Sequence, residues 1–444
     1  MAYIERPRFS CMLGGVLATL SALPRTIPII HGAQGCGGNL SAAYSLGGYL
    51  GAGYCGNSGV PSSNIGESDI IFGGGEKLIR EINSTFEVMD GDLYVVTTTC
   101  MTDIIGDDIK GILNEVGQKD KPILFIDTGG FKGNSYYGYT KLIQELFAQY
   151  IPQKNTKQNN LVNIFGLVPG YDPYFRGDLE ELKRILELVG VEANTFFTHD
   201  QTQQNILRAG EASLNIVLSR VYGPEAAIAV KDTHGIDYLI TDLPIGNLAT
   251  VGFVWQVAEK LGLDREKVSK ALYQETDSYF KYIDRATDLI ADTDFQNYAV
   301  VIANATEALP YAKYLDNEIG WITGYIFITD ELTEEQKNAI RQVFDDIEFS
   351  IRPELVFETD TYRIQQYIEQ NNPQFKSDAY YETFSPAFVL GSTIDRKLAE
   401  VLNGGLLSIS FPVINRIILA KGYAGFKGGL NLLEDLITGQ ISGR

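Results

Sequence analysis

An α/β fold of parallel sheets flanked by helices is what this sequence predicts, and three observations carry that expectation. The chain repeats one unit: a short β-branched or aromatic run, a Gly- or Thr-rich turn, then a helical stretch. The strand candidates are short and apolar throughout, as strands buried on both faces of a parallel sheet are. Finally, 444 residues exceed what one hydrophobic core organises. At roughly 150 residues per domain, about three Rossmann-like domains are expected.

In chain order, strands are expected at Leu93–Thr97, Ile123–Asp127, Val162–Leu167, Asn215–Leu218, Tyr298–Ala303, Gly324–Thr329, Glu354–Glu358, Phe388–Gly391 and Leu407–Phe411. Between them, apolar residues at three- and four-residue spacing predict helices at Asp178–Leu188, Val254–Leu261, Thr333–Asp345 and Gly429–Ile437. Gln153–Asn160 (QKNTKQNN) has no apolar residue and reads as a linker or exposed loop, and a second seam is expected near Asp292–Gln296. These seams divide the chain into domains at 1–155, 156–293 and 294–424, with a C-terminal helix at about 425–444 that packs on the first. No short-period repeat occurs, which argues against a solenoid.

Composition narrows the function. Hydrophobic residues at 45% against 21% charged residues support a packed core and exclude a disordered chain. With 36 Lys and Arg against 56 Asp and Glu, the net charge of −20 repels phosphate backbones and anionic head groups, so neither nucleic acid nor a membrane is an expected partner. No apolar run approaches the ~20 residues of a spanning helix and MAYIERPRFS lacks the apolar core of an export signal, so a cytoplasmic location is expected. Four cysteines are too few for a disulfide scaffold.

The cysteines are the candidate functional residues. Cys100 (YVVTTTCMTDIIGDD) ends a strand and opens a helical segment, where a thiolate meets free backbone N–H groups. Cys36 (IIHGAQGCGGN) lies among glycines that admit a bulky inorganic group. Cys11 (RPRFSCMLGG) precedes a Gly-rich helix. No C-x2-C pair is present, so structural zinc is not expected. Separations of 25 and 64 residues among Cys11, Cys36 and Cys100 are compatible with an iron–sulfur cluster held by distant loops. Three thiolates are one short of a four-cysteine set. Either Cys55 (GAGYCGNSG) completes it or a second chain supplies the remaining ligands; otherwise Cys55 is a buried or inert thiol.

Other motifs weigh less. GAGYCG matches a dinucleotide fingerprint but follows no convincing strand, and no G-x-x-x-x-G-K-[ST] exists, so no ATP site is expected in this chain. His31 reads as a structural residue or as a hydrogen-bond donor tuning the Cys36 loop. Asp107 and Asp108 read as a helix cap or solvated face, and Tyr136, Tyr137 and Tyr139 as interface packing.

From Arg8 to Asp108 the chain resembles the amino-terminal domain of nitrogenase component 1 subunits: a cysteine before a Gly-rich helix, HG-x-QGC at Cys36, then TTC-x-x-x-IIGDD at Cys100. The resemblance continues through LPIGNLAT (Leu243–Thr250), PAFVLGST (Pro386–Thr393), ISFPVINR (Ile409–Arg416) and GYAGFKGGLNLLEDL (Gly422–Leu436), nearly the whole chain. It implies three Rossmann-like domains and an interfacial P-cluster-like centre (8Fe-7S or 4Fe-4S), to which each of two homologous subunits gives three cysteines. Here these would be Cys11, Cys36 and Cys100. Electrons would arrive from an ATP-dependent iron protein. In β-type subunits of the family, a serine approaches the cluster within a segment resembling FKGNSYYGY, which places Asn134 there with Ser135 beside it.

The family's α-type chain holds the active-site metallocofactor through a mid-chain cysteine and a late histidine. Here the matching segment NIVLSRVYG has no cysteine, and no histidine follows Gly235. The resemblance therefore implies a β-type chain paired with an α-type homologue, as an α2β2 heterotetramer, although SDIIFGGGEKL (Ser68–Leu78) is closer to α-type or scaffold sequences. The implied substrate is N2 or another small molecule such as a methylthio-alkane. The alternatives are a cofactor-assembly scaffold and a porphinoid-type reductase with a single 4Fe-4S cluster.

Overall fold

The computed structural model describes residues 4–48, 59–116, 121–292, 295, 297–371 and 387–442. Cys55 and the GAGYCG motif lie outside them. Among the described residues three separate sheets form, and every paired strand is parallel to its neighbour.

The first sheet, in order β1-β2-β3, contains Thr26–His31, Leu93–Thr98 and Ile123–Ile126. Its helices are α1 (Met12–Ala22), α2 (Gly38–Leu46), α3 (Glu67–Phe72), α4 (Gly75–Val88), α5 (Cys100–Ile105), α6 (Ile109–Val116) and α7 (Ser135–Gln149). All six β2 residues are buried, which is why that strand lacks a polar alternation. β1 is visible in the sequence only as the run IPII. It carries Pro28, tolerated because β1 is an edge strand with β2 alone as its strand partner, so one N–H can be spared.

The second sheet has the order β5-β4-β6-β7, with β4 Gln158–Phe165, β5 Glu192–Asn194, β6 Ala212–Val217 and β7 Asp237–Ile240. Its helices are α8 (Phe175–Leu188), α9 (Gln203–Arg208), α10 (Pro224–His234), α11 (Gly246–Leu261), α12 (Arg265–Asp284) and α13 (Thr287–Asp292). Here the expected linker needs correcting: Gln158–Asn160 begin β4, with Gln158 paired to Ala212. Asn159 and Asn160 are exposed, so this strand start shows no apolar signal. The three-residue β5 and the half-buried β7 carry too short a signal for similar reasons.

The third sheet, β10-β9-β8-β11-β12, contains Tyr298–Ala303 (β8), Ile322–Ile328 (β9), Glu354–Phe357 (β10), Ala387–Gly391 (β11) and Leu406–Ser408 (β12). α14 (Ala308–Tyr314), α15 (Glu334–Asp346), α16 (Thr361–Asn371) and α17 (Arg396–Val401) accompany it. The strand expected at Leu407–Phe411 stops at Ser408; Ile409 and Ser410 instead donate their N–H groups to Gly391 O. The C-terminal helix α18 (Gly425–Ser442), expected on the first unit, makes its main contacts with α8, α11 and α12.

The units meet where the strands of the second and third sheets end. There Asp172, Asn304, Glu307 and Asp330 are buried together with Tyr136 and Tyr222, whose rings stack 4.7 Å apart. Asn304 Nδ2 donates to Asp172 at 2.7 Å and to Glu307 at 3.1 Å. Arg8, from the N-terminal segment, closes the junction by donating to Asp395 at 2.5 Å and to Thr361 Oγ1 at 3.1 Å.

Candidate metal centre

Each of the three described cysteines lies in or next to a turn or helix of the first unit, Cys11 just before α1, Cys36 within a 3-10 turn and Cys100 at the start of α5. Cys11 is the extended residue before α1. The segment it belongs to is paired with the chain before α7: Met12 N–H donates to Gly133 O and Ser135 N–H to Ser10 O, both at 2.9 Å, with Cys11 opposite Asn134. This pairing requires α1 and α7 to approach closely. A Cβ on Gly15 would lie 1.8 Å from Ser135 O, and one on Gly138 2.3 Å from Met12 O, so only glycine permits the contact.

Cys36 sits in the 3-10 turn Gln34–Gly37 after β1, and Asn39 holds it by donating to Cys36 O at 3.0 Å. A Cβ at Gly35 or Gly38 would meet nothing within 4 Å, so there is open space beside this turn. Cys100 is the first residue of α5. Thr99 and Thr102 cap that helix, and Thr102 Oγ1 donates to His31 O at 2.8 Å, tying α5 to the end of β1.

Gly130 brings the outer thiols together. Its N–H donates to Cys100 Sγ at 3.2 Å, and a Cβ there would lie 3.0 Å from Cys100 Sγ and 3.2 Å from Cys11 Cβ. Cys11 and Cys36 are half-buried and Cys100 is exposed, so the triad opens outward. Burial pushes the Cys36 thiol up, and the nearby Cys11 and Cys100 push it further. Bound as thiolates, the three would need a cationic group to offset their charge. Among the described residues no three His, Cys, Asp or Glu side chains converge on a single ion. Three cysteine side chains from separate loops are a donor set that an iron–sulfur group takes, and the open space beside Gly35 and Gly38 would admit one.

The remaining candidates fall in distinct places. Asn134 lies beside Cys11 but spends Oδ1 accepting from Tyr137 N–H at 3.1 Å, which caps α7. Ser135 is fully buried and its Oγ accepts from Ser10 N–H at 3.3 Å. His31 is fully buried with both ring nitrogens engaged, Nδ1 with Ser63 Oγ and Nε2 with Asp107, each at 2.9 Å. Burial lowers its basicity despite Asp107. Its side chain is thus a structural tie, and Asp107 also accepts from Gly74 N–H. Asp108 accepts from Gly111 N–H at 3.0 Å in the first turn of α6, as a cap. Tyr136 and Tyr139 pack inward, Tyr139 Oη accepting from Gly166 N–H of the second unit; only Tyr137 of the three is exposed.

Two features have no signature in the sequence. Lys132 bridges Asp103 of α5 and Asp127 at the end of β3, and Ile70, Ile71, Phe72 and Ile104 form exposed apolar surface on the contacting helices α3 and α5. Phe72 is 86% exposed and Ile104 77%.

Residues 11–440 match the family described as Nitrogenase component 1 type Oxidoreductase. The chain is 24% identical over 469 residues to the nitrogenase molybdenum-iron protein beta chain of Bradyrhizobium diazoefficiens, covering 98% of this chain and 84% of that one. It is 24% identical over 442 residues to a light-independent protochlorophyllide reductase subunit of Heliobacterium modesticaldum, covering 96% and 76%. The solved structure described as nitrogenase Cp1 at pH 6.5 has the same fold, with a TM-score of 0.80 at 17% identity over 100% of this chain and 94% of its own. Its cysteine contexts, its sheets and these likenesses agree: the chain belongs to the nitrogenase component 1 family of oxidoreductases and is of the β type.

Proposed function

We propose that this chain is the electron-relaying β-type subunit of a nitrogenase-like reductase. The observation that carries the reading is the placement of three thiols from separate loops at one end of the first unit, Cys11 and Cys100 meeting at Gly130 and Cys36 close enough to feel both. Cys11, Cys36 and Cys100 would hold half of an iron–sulfur centre, P-cluster-like (8Fe-7S) or 4Fe-4S, with Asn134 and Ser135 as its neighbours. That group supplies reversible one-electron storage when bound.

This chain's own part is to place and tune it. Gly130 N–H withdraws charge from Cys100 Sγ, and the N-terminus of α5 presents its positive dipole end to the same sulfur. The space beside Gly35 and Gly38 admits the centre. The apolar surface of Ile70, Ile71, Phe72 and Ile104 favours coverage by a partner protein, which would exclude water from the electron path. An α-type homologue in an α2β2 assembly would complete the ligand set and carry the metallocofactor, and an ATP-dependent iron protein would deliver electrons. N2 or another small molecule such as a methylthio-alkane would be reduced in that partner. A cytoplasmic location is part of this proposal; among the described residues no helix is long and apolar enough to cross a membrane.

The test is anaerobic co-production with an α-type homologue, followed by EPR before and after addition of an ATP-driven iron protein. A cluster signal that disappears or changes on reduction, and that is absent in Cys100→Ala, supports the reading; a spectrum identical in wild type and Cys100→Ala contradicts it. Similarity to a light-independent protochlorophyllide reductase favours a second reading, a porphinoid-type reductase with a single 4Fe-4S cluster. Metal content per heterodimer separates the two, because the first reading places a metallocofactor in the α-type partner beyond the shared cluster, whereas the second predicts four irons and no further metal.

A further inference from the structure

The geometry points to Lys132 and Asp103 as a clamp that holds the Gly130 N–H on Cys100 Sγ and thereby sets the redox potential of the cysteine-bound centre, an inference resting on the function proposed above. Two chain segments meet at Cys100: α5, whose first residue it is, and the turn Gly129–Asn134. The turn reaches that sulfur through the Gly130 N–H at 3.2 Å. An exposed turn would not hold one N–H on one sulfur unless something tied it down.

Lys132 does so from within the turn. Its backbone N–H donates to Gly129 O at 2.8 Å, closing the turn on itself. Its ammonium lies 2.7 Å from Asp103 Oδ2, an ion pair to a carboxylate three residues along α5 from Cys100, with only 5% of the Asp103 side chain exposed. The same ammonium donates to Asp127, whose Oδ1 also accepts from Thr98 Oγ1 at 3.3 Å. One cation thus joins the turn to α5 and to the ends of β2 and β3. Burial opposes charge on Lys132, yet the two carboxylates raise its pKa, while Asp127 is held below its ordinary range against burial chiefly by Lys132. Gly129 completes the fit, since a Cβ there would lie 1.9 Å from Asp103 Oδ2. An N–H donated to a ligating sulfur draws electron density from it and raises the potential of the couple. Releasing the turn removes that donor. Lys132 and Asp103 are therefore positioning residues, acting through Gly130.

Through-space charge must be separated from the clamp. The double variant Asp103→Asn/Lys132→Met removes one negative and one positive group, leaving net charge unchanged. In the anaerobic complex with the α-type partner, potentiometric EPR titration should show a more negative midpoint potential at wild-type iron and sulfide content, with Lys132→Arg retaining the wild-type value. A potential unchanged or raised in the double variant overturns the clamp. If the wild-type complex itself holds no iron, the proposed function falls, and the clamp is read on the cluster-free chain by hydrogen exchange. Residues 129–133 should then exchange faster in the double variant than in wild type and Lys132→Arg, and equal exchange overturns the clamp.

Discussion

The thiol face of the first unit and the carboxyl junction between the units handle buried polarity in opposite ways. At the face, three thiols open outward among backbone donors and glycines, with space beside them. At the junction, Asp172, Asn304, Glu307 and Asp330 are at most 3% exposed and satisfied by one another and by backbone N–H groups, with Ala305 N–H donating to Asp330. Burial raises Asp330, and nearby Asp178 on α8, to about 7, and raises Glu307 as well. Proton uptake lets the junction remain sealed without a counter-charge. A thiol triad that serves an iron centre must instead give up protons and take its counter-charge from the group it binds. The junction is a structural element complete in itself; the face is incomplete, and its incompleteness points to function there.

Substitutions can break this contrast in order of expected effect. Replacing any one of Cys11, Cys36 or Cys100 by Ala should abolish cluster iron in the complex while leaving the chain folded, measured by iron analysis beside circular dichroism. Arg8→Met leaves Asp395 as a buried, unpaired carboxylate. It should cost about 3–5 kcal/mol in denaturant unfolding, since breaking one side of a buried ion pair strands the other.

The junction also predicts a pH dependence. Between the ordinary carboxyl value near 4 and about 7, the unfolded chain releases protons that Asp178 and Asp330 retain when folded. Their contribution to stability is thus lost as pH rises through that window and levels off above it. Asp330→Asn should flatten the slope, as measured by denaturation midpoints at pH 5 and pH 8. The smallest effect is expected for Asn134→Ala, which removes the α7 cap at about 1 kcal/mol. Retained cluster iron in that variant would mark Asn134 as a neighbour of the centre, and lost iron would mark it as a ligand.

The two regions also differ in how far the sequence reveals them. Cys11, Cys36 and Cys100 stand out because cysteines are rare here and each sits in a Gly- or Thr-rich turn after or before a periodic element. The apolar strands beside them, such as β2 and β3, are equally legible. The junction is not, because Asp172, Glu307 and Asp330 resemble ordinary loop acids until the third sheet folds against the second. Lys132 and Asp103 are hidden for the same reason: their pairing joins segments about 30 residues apart that local periodicity cannot connect. Strand β4 begins with polar residues and β5 has only three, so neither carries an apolar pattern.

The central claim is that this chain holds half of a cluster. Iron and acid-labile sulfide should be measured in the anaerobically purified chain alone and again after co-purification with an α-type homologue. The account predicts that stoichiometric cluster iron appears only in the pair and is lost with Cys36→Ala. A full cluster on the isolated chain, or an iron-free pair, would contradict it.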